Sequence, residues 1–369
     1  MKILVINSGS SSIKYKLFEN DTIILGDIKE EIKNYDNSIK EILDEIPTNI
    51  NLVAHRVVHG GEYFKEATLL DDNSIKKIEE LSPLAPLHNP VNLKAIKFIK
   101  QHYPTLIQIA VFDTAYHQTI PKKNYIYPID IKYYEQHHIR KYGFHGTSHN
   151  YVANFAAKYL KKDIKNCNFI SLHLGNGASV TAIKNGKSYN TSMGFTPLDG
   201  LMMGTRSGSI DPSIIFYLEK NINMSIDDID KLLNKQSGFK GLCGTNDLRE
   251  VLKKEKNGDL NAKLAIDIFV KRVQEYIVKY ILALQNIDGI IFTGGIGENS
   301  SYIRELILRN LEIFNIKVDF NKNYNIINDI ENINQINQIN IFVIKTDEEK
   351  EIAMQSKILF KKLGYKQND

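Results

Sequence analysis

The chain reads as an α/β protein built from two similar halves, and three observations lead there. Strand-like and helix-like segments alternate along its 369 residues. Each half opens with two strand-like runs joined by a turn that carries glycine. The length suits two domains at roughly 100–200 residues apiece.

The first element is Lys2-Ile3-Leu4-Val5-Ile6, an apolar run of strand length, followed by the turn Asn7-Ser8-Gly9-Ser10-Ser11-Ser12. A second run, Ile13-Lys14-Tyr15-Lys16-Leu17-Phe18, comes at once. Backbone N–H groups and hydroxyls in such a turn can cradle phosphate oxygens. A P-loop or a dinucleotide-binding glycine turn leads into a helix, whereas this one leads into a strand. Strand–turn–strand order points to nucleotide kinases built like actin. Further strands are expected near 51–58, 107–112, 168–174, 179–184, 288–293 and 340–345. Helical periodicity fits 74–81, 90–102, 147–161, 262–285 and 301–311, with Ser148, Ser300 and Ser301 as expected N-caps.

The second half repeats the opening in style. Phe169-Ile170-Ser171-Leu172-His173-Leu174 reads as a strand, Gly175-Asn176-Gly177 as a turn, and Ala178-Ser179-Val180-Thr181-Ala182-Ile183 as its partner strand. Two such halves would clamp a nucleotide between them. The Asn/Ile tract from Asn321 to Asn340 reads as a surface connection without a function.

Bulk composition narrows the classes. Hydrophobic content of 43% and charged content of 24% suit a globular chain. A net charge of +4, evenly spread, argues against nucleic acid as a partner but suits a cleft for anions. No apolar run approaches the roughly 18–20 residues of a membrane span. The N-terminal apolar stretch ends at Ile6, too early for a signal peptide, so the expected location is cytoplasmic. Cys167 and Cys243 offer no disulfide framework and are expected to be reduced thiols.

Several residues stand where chemistry would be placed. Thr293-Gly294-Gly295-Ile296-Gly297-Glu298-Asn299 follows the apolar run Gly289-Ile290-Ile291-Phe292 and precedes a helix. Glycines there admit a planar or phosphate ligand close to the backbone, although a plain strand–helix junction looks the same. Arg56, in Ala54-His55-Arg56-Val57-Val58-His59-Gly60-Gly61, ends a strand before a glycine pair. Arg206, in Met203-Gly204-Thr205-Arg206-Ser207-Gly208, lies in a glycine-flanked loop. A guanidinium fork donates two parallel bonds to a carboxylate or phosphate, which explains such settings better than solvent does.

Asp113 ends the run Ile107–Phe112, which suits either an α/β site or a helix N-cap. His145 and His149 share an i, i+4 spacing. Yet His145 sits in the loop Tyr142-Gly143-Phe144-His145-Gly146 and no HExxH occurs, so metal chelation is disfavoured. A serine hydrolase is disfavoured too, for want of a GxSxG elbow. Glu348 and Glu349 are either an acidic helix start or hard oxygen ligands for Mg²⁺.

Taken in order from Met1 to about Met354, these motifs closely resemble the acetate kinase family, within the superfamily of sugar kinases, actin and heat-shock ATPases. The resemblance implies duplicated actin-like (ribonuclease H-like) domains around a central cleft. Residues 1–118 plus 351–369 would form the N-terminal domain, with the last helix packed back onto it, and residues 119–350 the C-terminal domain, with nucleotide and dimer contacts. It implies a homodimer, acetate and ATP as substrates, and Mg²⁺, or Mn²⁺ in its place. Asp113, His145 and Arg206 match catalytic positions, and Asn7 and Glu348 the metal-associated ones. Arg56 and Arg206 would meet the substrate carboxylate, and Val58, Leu87, Phe144 and Pro197 its methyl group. Nucleotide contacts would come from Lys14, His173-Leu174-Gly175-Asn176-Gly177, Asp247-Leu248-Arg249 and Gly295-Ile296-Gly297-Glu298-Asn299.

The chain departs from the family pattern in places. The stretch between Phe18 and Leu52 is short, Ser209 replaces a common Asp, and Thr245-Asn246 replaces a Ser-rich pair. The implied reaction is direct in-line transfer of the ATP γ-phosphoryl group to acetate. The rivals are a propionate or butyrate kinase and, from another class, an actin-like switch ATPase, which would need no carboxylate-binding arginines.

Overall fold

The computed structural model describes residues 1–9, 11–46 and 49–365; Ser10 of the first turn and residues 366–369 of the expected N-terminal domain lie outside the described residues. Two compact units emerge. One comprises Met1–Gln118, Phe144–Tyr151 and the chain from Asp347 onward; the other comprises Thr119–Gly143 and Val152–Thr346. Residues 144–151 and 347–350, which the sequence reading gave to the C-terminal domain, therefore belong with the first unit.

In the first unit, β1 (Lys2–Ser8), β2 (Ile13–Glu19), β3 (Thr22–Lys29), β4 (Leu52–Val57), β5 (Thr68–Leu69) and β6 (Ile107–Phe112) form a sheet in the order β3-β2-β1-β4-β6-β5. The first three make an antiparallel meander, β4 and β6 join in parallel, and β5 closes the far edge antiparallel. In the second unit, β7 (Phe169–Leu174), β8 (Ala178–Lys184), β9 (Lys187–Thr191), β10 (Gly289–Thr293), β11 (Ile330–Asn332) and β12 (Asn340–Ile344) follow the order β11-β12-β10-β7-β8-β9. Read from its other end, that order is the first sheet again, with the same parallel and antiparallel pairings. The duplicated actin-like architecture is thus written in strand connectivity.

Period-two alternation decides what each face of the first sheet buries. Leu4 and Ile6 of β1 turn to one side, where they join Ile39 and Ile42 of the helix Tyr35–Glu45 and Ala95 and Ile99 of the helix Asn89–His102. Ile3 and Val5 turn to the other, meeting Ile352, Ala353 and Phe360 of the helix Glu348–Lys362. Each fully buried aliphatic or aromatic side chain of this kind contributes about 1.5–3 kcal/mol. In the second unit the long helix Leu260–Leu284 packs on β8 and buries Ala262, Ala265, Ile266, Phe269, Val273, Ile277 and Tyr280, a stripe with helical spacing.

Some local expectations change. Ser300 does cap the helix Ser301–Leu308, its Oγ accepting from Ile303 N–H at 3.4 Å. Ser301 is instead the first helical residue, and Ser148 lies inside the helix Gly146–Tyr159. The glycine run Gly294–Asn299, read as a junction between strand and helix, is itself a short helix. Among the described residues no helix is long and apolar enough to cross a membrane.

Candidate active site

In the first unit, strand register assembles a charged cluster. β4 and β6 pair Arg56 with Val111 and Val57 with Phe112, and Asp113 N–H continues the ladder to Val57 C=O at 3.0 Å. That register delivers the Asp113 carboxylate to Arg56. Arg56 Nε donates to Asp113 Oδ1 at 3.0 Å and Nη2 to Oδ2 at 2.6 Å, a two-pronged pairing. Arg56 Nη1 also donates to Asn7 Oδ1 at 3.3 Å, and Thr147 Oγ1 donates to Asp113 Oδ1 at 3.3 Å. Burial alone would make the guanidinium easier to deprotonate; Asp113 and Glu348 reverse this and hold its proton more firmly. Both Asp113 oxygens serve Arg56.

Glu348 opens the helix Glu348–Lys362, whose N-cap is Asp347. The nearest Glu348 oxygen stands 3.7 Å from Arg56 Nε, and its carboxylate accepts no hydrogen bond from the described residues. Burial raises its pKa above the ordinary carboxylate value; Arg56 opposes this, while Asp113 and Glu349 add to it. Glu349 behaves differently although adjacent. Burial would raise it too, but Lys14 at 2.7 Å, Lys16 at 3.3 Å and Asn7 Nδ2 at 3.3 Å together bring it below the ordinary value. Lys14, expected at the nucleotide, is therefore tied to Glu349 here.

His145 precedes the helix Gly146–Tyr159 and has φ +57°, a left-handed conformation uncommon for a residue with a side chain. Its neighbour explains how the bend is held. Gly146 N–H donates to Asp113 C=O at 3.0 Å, and a Cβ on Gly146 would come within 2.2 Å of that oxygen. Only glycine permits this approach, and it pins His145 beside Asp113 along the backbone. Of the expected methyl-pocket residues in this unit, Val58 and Phe144 are buried, while Leu87 is 57% exposed. Leu87 lies in the chain just after the single turn Ser82–Leu84, outside the helices and strands that shield the other two.

The second unit holds a cavity of about 640 Å³. Its walls include Gly175 and Asn176 after β7, Asp247-Leu248-Arg249 at a helix start, and Gly295, Ile296 and Asn299 from the short helix. The other expected nucleotide residues of this unit, His173, Leu174, Gly177, Gly297 and Glu298, do not line it. Glu298 Oε1 is committed elsewhere: it accepts from Thr293 Oγ1 at 3.1 Å, Gly294 N–H at 2.8 Å and Thr346 N–H at 3.0 Å. Arg249 closes on Asp247 at 2.6–3.1 Å and is otherwise exposed.

Sequence reasoning missed Gly204, Phe239 and Leu252 as cavity walls. Gly204 was legible as a special glycine but not its reason. A Cβ there would lie 1.9 Å from Asn176 Oδ1, the oxygen to which Asn246 Nδ2 donates at 3.2 Å. Thr245, where the family pattern differs, still supports the loop: its Oγ1 accepts from Asp247 N–H at 3.2 Å and donates to Glu250 at 2.6 Å.

Arg206 is half-buried, and among the described residues its guanidinium has no carboxylate partner; Nη1 reaches only Met203 Sδ, at 3.7 Å. Burial lowers its pKa from the usual arginine value. A buried-side cation without a counter-ion is an offer to an anion. Ser209, where Asp is common, fastens this loop: it donates to Asp199 at 2.6 Å and accepts from Gly200 N–H at 2.9 Å, and Arg272 Nη1 donates to its carbonyl at 2.8 Å. Pro197 lies half-buried in the same stretch. Among the described residues no three His, Cys, Asp or Glu side chains gather to cage a metal ion, His145 and His149 included.

A model described as the acetokinase family matches residues 24–354. An acetate kinase of Sulfurovum sp. (strain NBC37-1) is 43% identical over 396 aligned positions, covering 99% of this chain and 100% of the relative. One of Campylobacter fetus subsp. fetus is 47% identical, covering 88% and 89%. Among solved structures, a propionate kinase from Francisella tularensis superposes with a TM-score of 0.91 at 43% identity, covering 96% and 98%. Porphyromonas gingivalis acetate kinase superposes with 0.92 at 36% identity, covering 97% and 99%.

Proposed function

The chain belongs to the acetokinase family, and from that premise we propose that it transfers the γ-phosphoryl group of ATP reversibly and directly to acetate, giving acetyl phosphate and ADP. The observation that carries the reading is Arg206, a half-buried guanidinium without a carboxylate partner among the described residues. The 640 Å³ cavity walled by Gly175, Asn176 and Gly295 supports it as a seat for the nucleotide.

An acetate oxygen is already a competent nucleophile, so no base has to take a proton from it. Catalysis reduces to alignment and charge neutralisation of a loose phosphoryl group. Arg56, oriented by Asp113, holds the acetate carboxylate, with Val58 and Phe144 beside the methyl group. Arg206 and His145 donate to the oxygens of the phosphoryl group in transfer. Asp113 acts through Arg56 as a positioning residue.

The residues also fit a hard divalent cation. Glu348 is a largely buried carboxylate that accepts no hydrogen bond among the described residues, and Asn7 Oδ1 lies in the same cluster. Mg²⁺ uses one or two carboxylates and keeps several waters, so one carboxylate beside an amide oxygen suits it. Mg²⁺, or Mn²⁺ in its place, would supply charge neutralisation at the phosphates when bound. A homodimer belongs to the same reading, supported by Ile214, Phe216, Tyr217 and Ile222, exposed on the helix Ser213–Ile222.

Hydroxylamine trapping tests the proposal: acetohydroxamate should form only with ATP, acetate and Mg²⁺ together. ATP hydrolysis indifferent to acetate, with no hydroxamate, would instead favour a switch ATPase. Propionate is the second reading, favoured by the Francisella tularensis relative. One methylene is worth only about 1–3 kcal/mol in an apolar pocket, so comparing kcat/KM for acetate, propionate and butyrate ranks the two.

A further inference from the structure

The largest fully buried side chain among the described residues is an arginine far in sequence from the phosphoryl-transfer set. Arg304, on the helix Ser301–Leu308, is 2% exposed. Among the described residues it has no carboxylate partner; backbone and amide oxygens surround it instead. Nη1 donates to the carbonyls of Gly297 and Glu298, both at 2.9 Å. Nε donates to Asn323 Oδ1 at 2.8 Å and Nη2 to Asn323 C=O at 2.7 Å. Asn323 is itself fully buried, and its Nδ2 donates to Ser301 C=O at 3.0 Å. Burial pushes the Arg304 pKa down to about 10.

The place of this clamp gives it meaning. The carbonyls of Gly297 and Glu298 close the short helix whose Gly295, Ile296 and Asn299 wall the 640 Å³ cavity. Behind that helix is a second cavity of about 200 Å³, lined by Asn299, Arg304 and Asn323 among others. The wall between the two spaces is one short helical turn with open volume on either side. The turn packs on β7 and β10 through the buried Gly294 and Gly297. At its C-terminal end Arg304 donates two charge-assisted hydrogen bonds to the Gly297 and Glu298 carbonyls, and two more tie Arg304 to Asn323.

We infer that Asn323, in the Asn/Ile tract that the sequence left without a role, is a positioning residue for the nucleotide. It locks Arg304, and Arg304 fixes the cavity wall at Gly297 and Glu298. The inference rests on the nucleotide occupying the larger cavity. Asn323→Ala removes the acceptor of Arg304 Nε but keeps the backbone acceptor of Nη2. Losing that one hydrogen bond to a charged group should raise the ATP KM by about tenfold, while the acetate KM stays within about twofold. Asn323→Asp keeps the acceptor for Arg304 Nε and should restore most of the ATP KM. A merely structural asparagine would instead lower thermal stability and leave the two KM values unchanged or shifted together; that result overturns the inference.

Hydrogen exchange on the unaltered protein gives a second test that needs no variant to fold. ADP should slow exchange at residues 294–300 and also at 320–324, which lie outside the larger cavity. Protection confined to 294–300 overturns the role of Asn323 and leaves the nucleotide site standing. No protection at 294–300 overturns the nucleotide site, and this inference with it.

Discussion

Asp113 grips Arg56 through both carboxylate oxygens, at 3.0 and 2.6 Å, with Asn7 touching the remaining nitrogen at 3.3 Å. The guanidinium therefore has one orientation before any substrate arrives. If Asp113 works only through Arg56, their losses overlap. Arg56→Ala and Asp113→Ala should each raise the acetate KM at least about tenfold, and the double variant should cost far less than the product. Steady-state kinetics on the four proteins measures the coupling, and strictly multiplicative losses would give Asp113 a separate role.

Arg206→Ala should lower kcat by at least about a hundredfold, the typical cost of removing one donor to a developing charge. The variant should fold normally, because no carboxylate is left unpaired by the change. Arg206→Lys should recover only part of the rate, since an ammonium cannot reproduce the fork. Near-normal turnover in the alanine variant would remove Arg206 from the reaction.

Two glycines in the nucleotide cavity should respond differently to a methyl group. At Gly204 the new Cβ would lie 1.9 Å from Asn176 Oδ1, so Gly204→Ala should both lower Tm and weaken ADP binding. At Gly295 a Cβ meets nothing within 4 Å. Gly295→Ala should therefore keep its Tm yet bind ADP more weakly, because the methyl occupies space in the cavity. Thermal melts paired with ADP titrations separate the two, and a Gly295→Ala protein with unchanged ADP affinity would argue that the nucleotide lies elsewhere.

Lys141 supplies a pH dependence of stability. Its Nζ donates to Thr191 C=O at 2.7 Å, and burial lowers its pKa from 10.5 to about 8. A depressed lysine pKa means the folded state resists the charge. Its contribution to stability is complete above the unfolded pKa and is lost as pH falls through the folded one. The Tm of Lys141→Met minus that of the unaltered protein should thus be greatest below about pH 8 and decline towards pH 10.5. A difference that does not change over that window would contradict the buried charge.

What the sequence disclosed follows from how each signal is generated. β1, β4, β6, β7, β10 and β12 were visible because burial on both faces demands unbroken apolar runs. β3 was not: it is an edge strand, exposed along almost its whole length, and Thr22–Lys29 shows no alternation. The helix Ser213–Ile222 buries no residue and so leaves no stripe to read. Arg56, Arg206 and the glycine loops were legible because charge next to glycine is unusual in any strand or turn. The hold of Glu349 on Lys14 was hidden, since 335 positions separate residues that only the sheet and the last helix bring together. The Arg304–Asn323 clamp was hidden for the opposite reason: a lone arginine and one asparagine among many look like solvated surface.

The placement of the helix Glu348–Lys362 has a consequence for the birth of the protein. Ile352, Ala353 and Phe360 cover the face formed by Ile3, Val5, Ala54 and Val111. During synthesis those strands thus stay bare on one side until the helix Glu348–Lys362 has been made. Deleting the helix Glu348–Lys362, or stalling translation before it, leaves that greasy face open to chaperones or to self-association, because its cover is made long after its strands.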